Sequence, residues 1–329
     1  MQELNPPAGQ VVDYLRLSVT DRCNYRCVYC MPPEGVPFQP HADMLSYEDM
    51  VFFVRAAVQM GMSKVRVTGG EPLVRRGLPD LVGMIHAVPR IHDISLTTNG
   101  ALLPRFAHAL KEKGLDRVNI SLDSLDPQRY RLLTRGGSLE AALAGVESAL
   151  RFDLSPVKLN VVMMSELLAE LPNFVAITRD RPLHVRFIEW MPVGGCGPRS
   201  TGESLTKDQV MAALQELGVE RLGRLEPVAS PGGWGPARYY RFPGHEGTIG
   251  FIGSVSDHFC GECNRLRLTA DGRLKNCLFS CDEIDVKDAI QARDEDAVLA
   301  GIEESLECKT FDKNVLPGPS SRGMSQVGG

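Results

Sequence analysis

The sequence predicts an α/β protein built on a parallel sheet. Six short runs rich in β-branched and apolar residues, at 15–19, 64–68, 94–98, 117–121, 157–162 and 184–187, recur along the first part of the chain. Segments of helical pattern lie between them, and strand–helix alternation of this kind gives a parallel sheet with right-handed crossovers. After about Gly218 the texture changes, and a Pro/Gly-rich loop at 230–236 opens a different region. A doubly wound sheet and a partial barrel both satisfy the alternation, and period alone does not separate them.

The strand at 15–19 comes first, and a helix is expected from Ser46 to about Met60. Ser46 caps it, Asp49 occupies the third helical position and Gly61 stops it. The next well-marked helix runs from about Leu103 to Lys113 and ends at Gly114. Asp126 and Ser138 are caps of later helices, and Thr206 caps one reaching about Leu217, before Gly218. Further on, 265–269 and 273–276 flank Ala270-Asp271-Gly272, a good hairpin turn. The stretch 285–308 reads as helical and acidic, and the end carries Pro317-Gly318-Pro319 before Gly328-Gly329. No repeat of about 20–50 residues is present.

With 329 residues, 43% hydrophobic and 23% charged, the chain can bury a large core and is not a disordered protein. No apolar run approaches the roughly 18 residues of a membrane span. The first ten residues are polar and Pro-rich, without a basic-then-apolar leader, so a soluble cytoplasmic chain is expected. Lys plus Arg is 36 against 41 for Asp plus Glu, a net charge of −5 that disfavours non-specific nucleic-acid binding.

The cysteines carry the chemistry. There are nine, an odd number that argues against a disulfide framework in a cytosolic chain. Seven fall into two tight groups, which argues for metal. Cys23, Cys27 and Cys30 have C-x3-C-x2-C spacing: three soft thiolates on one loop can hold three irons of a cubane cluster and leave the fourth open. A zinc site with His41 as fourth ligand is the alternative. The loop follows the first strand at its carboxyl end, where parallel α/β barrels place their chemistry. The second strand ends in Gly69-Gly70-Glu71-Pro72, whose glycines admit a ligand close to the backbone and whose carboxylate can accept from an ammonium group.

Asp21-Arg22-Cys23-Asn24-Tyr25-Arg26-Cys27-Val28-Tyr29-Cys30, followed by Thr68-Gly69-Gly70-Glu71-Pro72, resembles the radical S-adenosylmethionine superfamily. The resemblance implies a partial (β/α)6 TIM-like barrel over 1–222 and a [4Fe-4S] cluster on Cys23, Cys27 and Cys30. S-adenosylmethionine would bind the open iron, and one electron would cleave it to a 5′-deoxyadenosyl radical that abstracts a hydrogen atom. Tyr29, Gly69, Gly70, Glu71, Ser121 and Met191 are the implied cofactor contacts.

The second group, Cys260, Cys263, Cys277 and Cys281, is spaced C-x2-C-x13-C-x3-C. Spacing alone leaves a zinc ribbon and an iron–sulfur cluster open. Arg265 and Arg267 share one face of a candidate strand, and two guanidinium forks suit a polyphosphate or a purine edge. The whole stretch 250–279 resembles, within the superfamily, the family that cyclises GTP at the first step of molybdenum cofactor biosynthesis. That resemblance implies a C-terminal α+β extension over 223–308 with a second [4Fe-4S] cluster on Cys260, Cys263 and Cys277. Its fourth iron would be left for the purine, with Cys281 a spare thiol.

The same resemblance implies GTP contacts at Arg16, Lys64, Arg66, Thr97, Lys158, Arg186, Arg265, Leu266 and Arg267. A cation on a buried strand is costly unless an anion meets it. Arg16, Gly328 and Gly329 are implied in catalysis, the last two at the end of a tail, 309–329, that reaches the site. The radical would take the ribose 3′ hydrogen and the carbon radical would attack C8, giving 3′,8-cyclo-7,8-dihydroguanosine triphosphate. Implied partners are an electron donor of flavodoxin or ferredoxin type, a second copy in a homodimer, and a downstream cyclic pyranopterin monophosphate synthase. Two other functions compete: a peptide-modifying radical enzyme with an auxiliary cluster, and a zinc-binding adaptor without catalysis. Cys196, Cys281 and Cys308 receive no role.

Overall fold

The computed structural model describes residues 11–193, 204–257, 259–309 and 322–328, with backbone only at 219–221. Twelve strands form one sheet. Six come from the strand–helix alternation: β1 (Tyr14–Ser18), β2 (Lys64–Thr68), β3 (Asp93–Thr98), β4 (Arg117–Ser121), β5 (Val157–Val162) and β6 (Leu183–Ile188). They lie side by side in chain order, each parallel to the next. The C-terminal part adds β7 (Glu226–Val228), β8 (Arg238–Arg241) and β9 (Thr248–Ile252), then β10 (Arg265–Leu268), β11 (Arg273–Lys275) and β12 (Ile284–Asp285). β9 extends the sheet beyond β6 and β10 extends it beyond β1, both in parallel. Antiparallel strands close each flank, β8 and β7 on one side, β11 and β12 on the other. Among the described residues the two outermost strands do not meet, so the sheet curls into a partial barrel rather than a closed one.

Helices cover the outer face: α1 (Tyr47–Gln59), α2 (Leu78–His86), α3 (Leu103–Glu112), α4 (Pro127–Thr134), α5 (Leu139–Arg151), α6 (Leu167–Ala176) and α7 (Lys207–Arg221). α8 (Lys287–Ala292), α9 (Glu295–Glu307) and the short α10 (Met324–Val327) follow. Alternation sorts the strands by face. Leu15, Leu17, Val65, Val67, Val118, Ile120, Val185 and Phe187 belong to the main core. The residues between them include Arg16, Arg66, Asn119, Lys158 and Arg186, all buried. Parallel strands buried on both faces usually read as continuous apolar runs. Here the inner face is polar because it encloses a cavity.

The expected caps form. Ser46 Oγ accepts from Asp49 N at 3.0 Å, while Asp49 Oδ2 accepts from Ser46 N at 2.9 Å. Asp126 and Ser138 cap α4 and α5, and Thr206 caps α7. Three expectations need correction. α7 runs to Arg221, past Gly218. A Cβ on Gly218 would lie 2.7 Å from Gly223 O and 3.0 Å from the Phe242 ring, so this glycine serves packing, not termination. The acidic stretch 285–308 is not one helix: Arg293 (φ 59°) breaks it, and Asp294 Oδ1 caps the second half by accepting from Ala297 N at 3.0 Å. β9 has no expected counterpart, because Gly250 interrupts its β-branched pattern. A Cβ there would lie 2.9 Å from the Tyr239 ring. Among the described residues no helix is long and apolar enough to cross a membrane.

Candidate active site

The loop after β1 carries the first three cysteines, each half-buried. Its turn closes through Cys30 N donating to Cys27 O at 2.9 Å. It is clamped to the loop after β2: Gly70 N donates to Thr20 O at 2.7 Å and Glu71 N to Arg22 O at 2.8 Å. A Cβ on Gly69 would lie 2.4 Å from Thr20 O, and one on Gly70 would lie 2.4 Å from Arg22 O. Part of the demand for two glycines is therefore backbone packed on backbone, a reason that the expectation of ligand access did not include. Glu71 is buried and accepts from Leu73 N at 3.0 Å, Thr98 Oγ1 at 2.8 Å and Asn99 N at 2.7 Å. Burial raises its carboxyl to about 7 against those hydrogen bonds.

The inner face of the sheet lines a cavity of about 230 Å³. Arg16, Arg66, Thr97, Ser121, Asn160 and Arg186 contribute to its wall, one from each of β1 to β6. Arg66 Nε donates to Ser95 Oγ at 3.2 Å. Arg186 donates to Asn160 Oδ1 from Nε at 2.9 Å and to Asn119 Oδ1 from Nη2 at 2.6 Å. These partners are neutral, so they orient the guanidinium groups without cancelling their charge. Tyr29, from the first cysteine loop, also lines the wall and donates to Asp123 Oδ2 at 2.7 Å. Asp123 Oδ1 accepts from Val162 N at 2.9 Å, and burial raises this carboxyl to about 6.

The second trio faces the same cavity: Cys260, Cys263 and Cys277 all line it, as do Arg265 and Arg267. Burial pushes the Cys263 thiol up, but Arg265 and Lys309 outweigh it and bring it down to about 6. Lys309 Nζ and Arg265 Nη2 each lie 3.5 Å from Cys263 Sγ. Cys281 is exposed and points to Asp282 instead.

The tail re-enters here. Arg322 forms a two-pronged pair with Asp271 at 3.0 and 2.9 Å and donates to Glu283 from Nε. α10 then packs Val327 against Val193 and Leu278. The Gly328 carbonyl accepts from Arg16 Nε and Nη2 at 3.2 and 3.1 Å and from Arg267 Nη1 at 2.8 Å.

Residues 17–175 match the family model described as Radical SAM superfamily, and residues 183–314 match that described as Molybdenum Cofactor Synthesis C. The GTP 3′,8-cyclase of Heliobacterium modesticaldum is 47% identical over 323 residues, covering 97% of this chain and 98% of that protein. The GTP 3′,8-cyclase of Pelotomaculum thermopropionicum is 48% identical over 321 residues, with coverage of 97% and 98%. The chain belongs to the GTP 3′,8-cyclase family. In fold it is also similar to the crystal structure of Streptococcus suis SuiB, at a TM-score of 0.57 and 14% identity over 90% of this chain and 68% of that one.

For a member of the GTP 3′,8-cyclase family the donor sets suit iron–sulfur clusters: two separate trios of soft thiols, the first on one loop and the second split between the turn at Cys260–Glu262 and the segment after β11. Burial pushes the Cys23 thiol up to about 11 and Cys27 upward as well, so a bound metal would have to supply the positive charge that makes them thiolates. Three buried polar atoms of the cavity wall, Tyr14 Oη, Trp190 Nε1 and Asn276 Oδ1, lack partners among the described residues, which suits a polar guest.

The expected residues do not all converge. Arg16, Arg66, Thr97, Arg186, Arg265 and Arg267 line the cavity with Tyr29, Ser121 and Met191. Lys64 and Lys158 do not; Lys64 pairs with Asp13, and Lys158 Nζ donates to Gly232 O. Leu266, expected to contribute through its backbone alone, has its side chain in the core. Gly329 and Cys196 lie outside the described residues. Asp123, Asn160, Asn119 and Lys309 were not anticipated. Their signal was strand parity for the asparagines, which share the inner face with Arg186, and position just past β4 for Asp123. Lys309 had no local signal.

Proposed function

We propose that this one cavity performs the reaction of the family. The chain cyclises GTP by radical S-adenosylmethionine chemistry in molybdenum cofactor biosynthesis. The observation that carries the site assignment is convergence: Tyr29 of the first cysteine loop and all three of Cys260, Cys263 and Cys277 line one cavity, with arginines between them.

In this reading Cys23, Cys27 and Cys30 hold one [4Fe-4S] cluster, and Cys260, Cys263 and Cys277 hold the other. When bound, the first cluster and S-adenosylmethionine supply the one-electron chemistry that starts the reaction on the ribose. The chain's own residues do the rest by placement. Arg16, Arg66 and Arg186 neutralise a polyanion within a buried wall, where charge is poorly screened. Enclosure keeps reacting carbons close and water out. Arg16 and Arg267, two arginines of the wall, grip the Gly328 carbonyl and hold that residue against them. The electron donor of flavodoxin or ferredoxin type, the homodimer, the cytoplasmic setting and the downstream cyclic pyranopterin monophosphate synthase belong to the same proposal, supported by the family resemblance.

The test is anaerobic reconstitution with S-adenosylmethionine and dithionite, measuring 5′-deoxyadenosine with and without GTP and iron in the same sample. Strong stimulation by GTP with a matching nucleotide product is the expected result. Cleavage indifferent to GTP, in protein carrying iron for two clusters, would overturn the substrate assignment.

A further inference from the structure

Three inner-face cations lean on one loop, the 230–236 connection between β7 and β8. Lys158 Nζ donates to Gly232 O, and Lys64 Nζ sits 3.3 Å from the centre of the Trp234 ring. Gly233 (φ 69°) lies directly against Arg117: a Cβ there would come within 2.4 Å of Nε and 3.0 Å of Nη2. Arg117 is 4% exposed. Its Nη1 is paired with Asp93, but Nε and Nη2 have no hydrogen-bond partner among the described residues. Those two N–H groups form one edge of the guanidinium, the edge that takes two oxygens of a phosphate side by side.

A buried donor pair without an acceptor is costly. The register sets Arg117 beside Ser95, the residue that orients Arg66, so it belongs to the same inner row. Burial, with Arg186, Arg117 and Arg66 nearby, pushes the Lys158 ammonium down to about 6. Positive charge at this end of the cavity thus outruns the acids that face it, Asp93 and Asp13. Trp234, Gly235 and Pro236 line the cavity, so the loop stands between its interior and these cations.

We propose that Arg117 is a further substrate-binding residue whose Nε–Nη2 edge takes the terminal phosphate of a nucleoside triphosphate, and that the 230–236 loop is a gate displaced by that phosphate. The Gly232 carbonyl and the Trp234 ring act as stand-in partners for Lys158 and Lys64, and a phosphate is a stronger partner for both. The inference rests on the GTP reading above and adds a residue and a movement to it.

The test uses the enzyme with both clusters loaded, titrated with GTP and with GMP, while amide exchange of residues 229–237 is followed by mass spectrometry. GTP should speed exchange in that segment and GMP should not; unchanged exchange with GTP bound overturns the gate. Arg117→Lys keeps a charge beside Asp93 but loses the fork, so GTP should bind about tenfold more weakly while GMP changes less than about twofold. Gly233→Ala, whose Cβ would drive the loop off Arg117, should tighten GTP and leave GMP alone. Equal effects on both nucleotides, or no effect on GTP, overturn the role of Arg117. Absence of GTP binding in the unaltered enzyme overturns the underlying reading and is distinguished by appearing before any substitution.

Discussion

Lys158 and Gly328 owe their properties to burial. Lys158 is held near 6, below its ordinary 10.5, by burial first and by neighbouring arginines second. In the free chain above about pH 6 it is therefore largely neutral, and folding gains stability as pH rises from there towards 10.5, because the unfolded chain binds the extra proton over that window. A bound polyphosphate reverses the balance by favouring the ammonium form. GTP binding should then take up a proton at neutral pH, measured by calorimetry in two buffers of different ionisation enthalpy. Equal heats in both would refute it. Gly328 has φ 69°, and a Cβ would lie 2.7 Å from Thr68 Cγ2 and 3.2 Å from Ser18 Cβ. Gly328→Ala should unseat the carbonyl that Arg16 and Arg267 hold, suppressing product with iron content unchanged. Full product formation by this variant would make the tail a bystander.

At the scale of elements, what was legible in the sequence followed from local chemistry. The Ser46–Asp49 box and the Asp126 and Ser138 caps need only residues three apart, and each forms. What was not legible depended on contacts distant in sequence. Gly218 reads as a stop but is required by Gly223 and Phe242, and Gly250 reads as a break but is required by Tyr239. The Gly69-Gly70 pair belongs to both kinds: its place after β2 is local, while its fit against Thr20 and Arg22 is not. That fit gives a prediction. Gly70→Ala would push a Cβ to 2.4 Å from Arg22 O and part the two loops. The first cysteine loop should then hold iron less well, since supporting contacts of a metal site typically cost about 10–100-fold in affinity when lost. Iron per chain should fall towards one cluster's worth, and an unchanged iron content would show the clamp to be dispensable.

At the scale of the molecule, the cysteine spacings were readable in the linear sequence, but their convergence was not. The two trios lie more than two hundred positions apart, and Tyr29 of the first loop shares a cavity with the second trio because β10 adds to the sheet beside β1, pairing Arg16 with Arg267. That single register brings together the first loop, the second knuckle and the tail carbonyl shared by the same two arginines. Each trio nonetheless has its own electrostatic setting: Cys23 and Cys27 are raised by burial, while Cys263 is lowered by Arg265 and Lys309. Sites so differently supported should fail independently. Cys27→Ser should abolish cleavage of S-adenosylmethionine while the second trio still takes up iron. Cys263→Ser should leave cleavage intact but lose the cyclised nucleotide, because Cys263 lines the cavity whereas Cys23, Cys27 and Cys30 are not among its lining residues. Measured side by side, 5′-deoxyadenosine, nucleotide product and iron separate the two. If Cys27→Ser still cleaves, or if Cys263→Ser still cyclises, the division of labour between the two sides of the cavity is wrong.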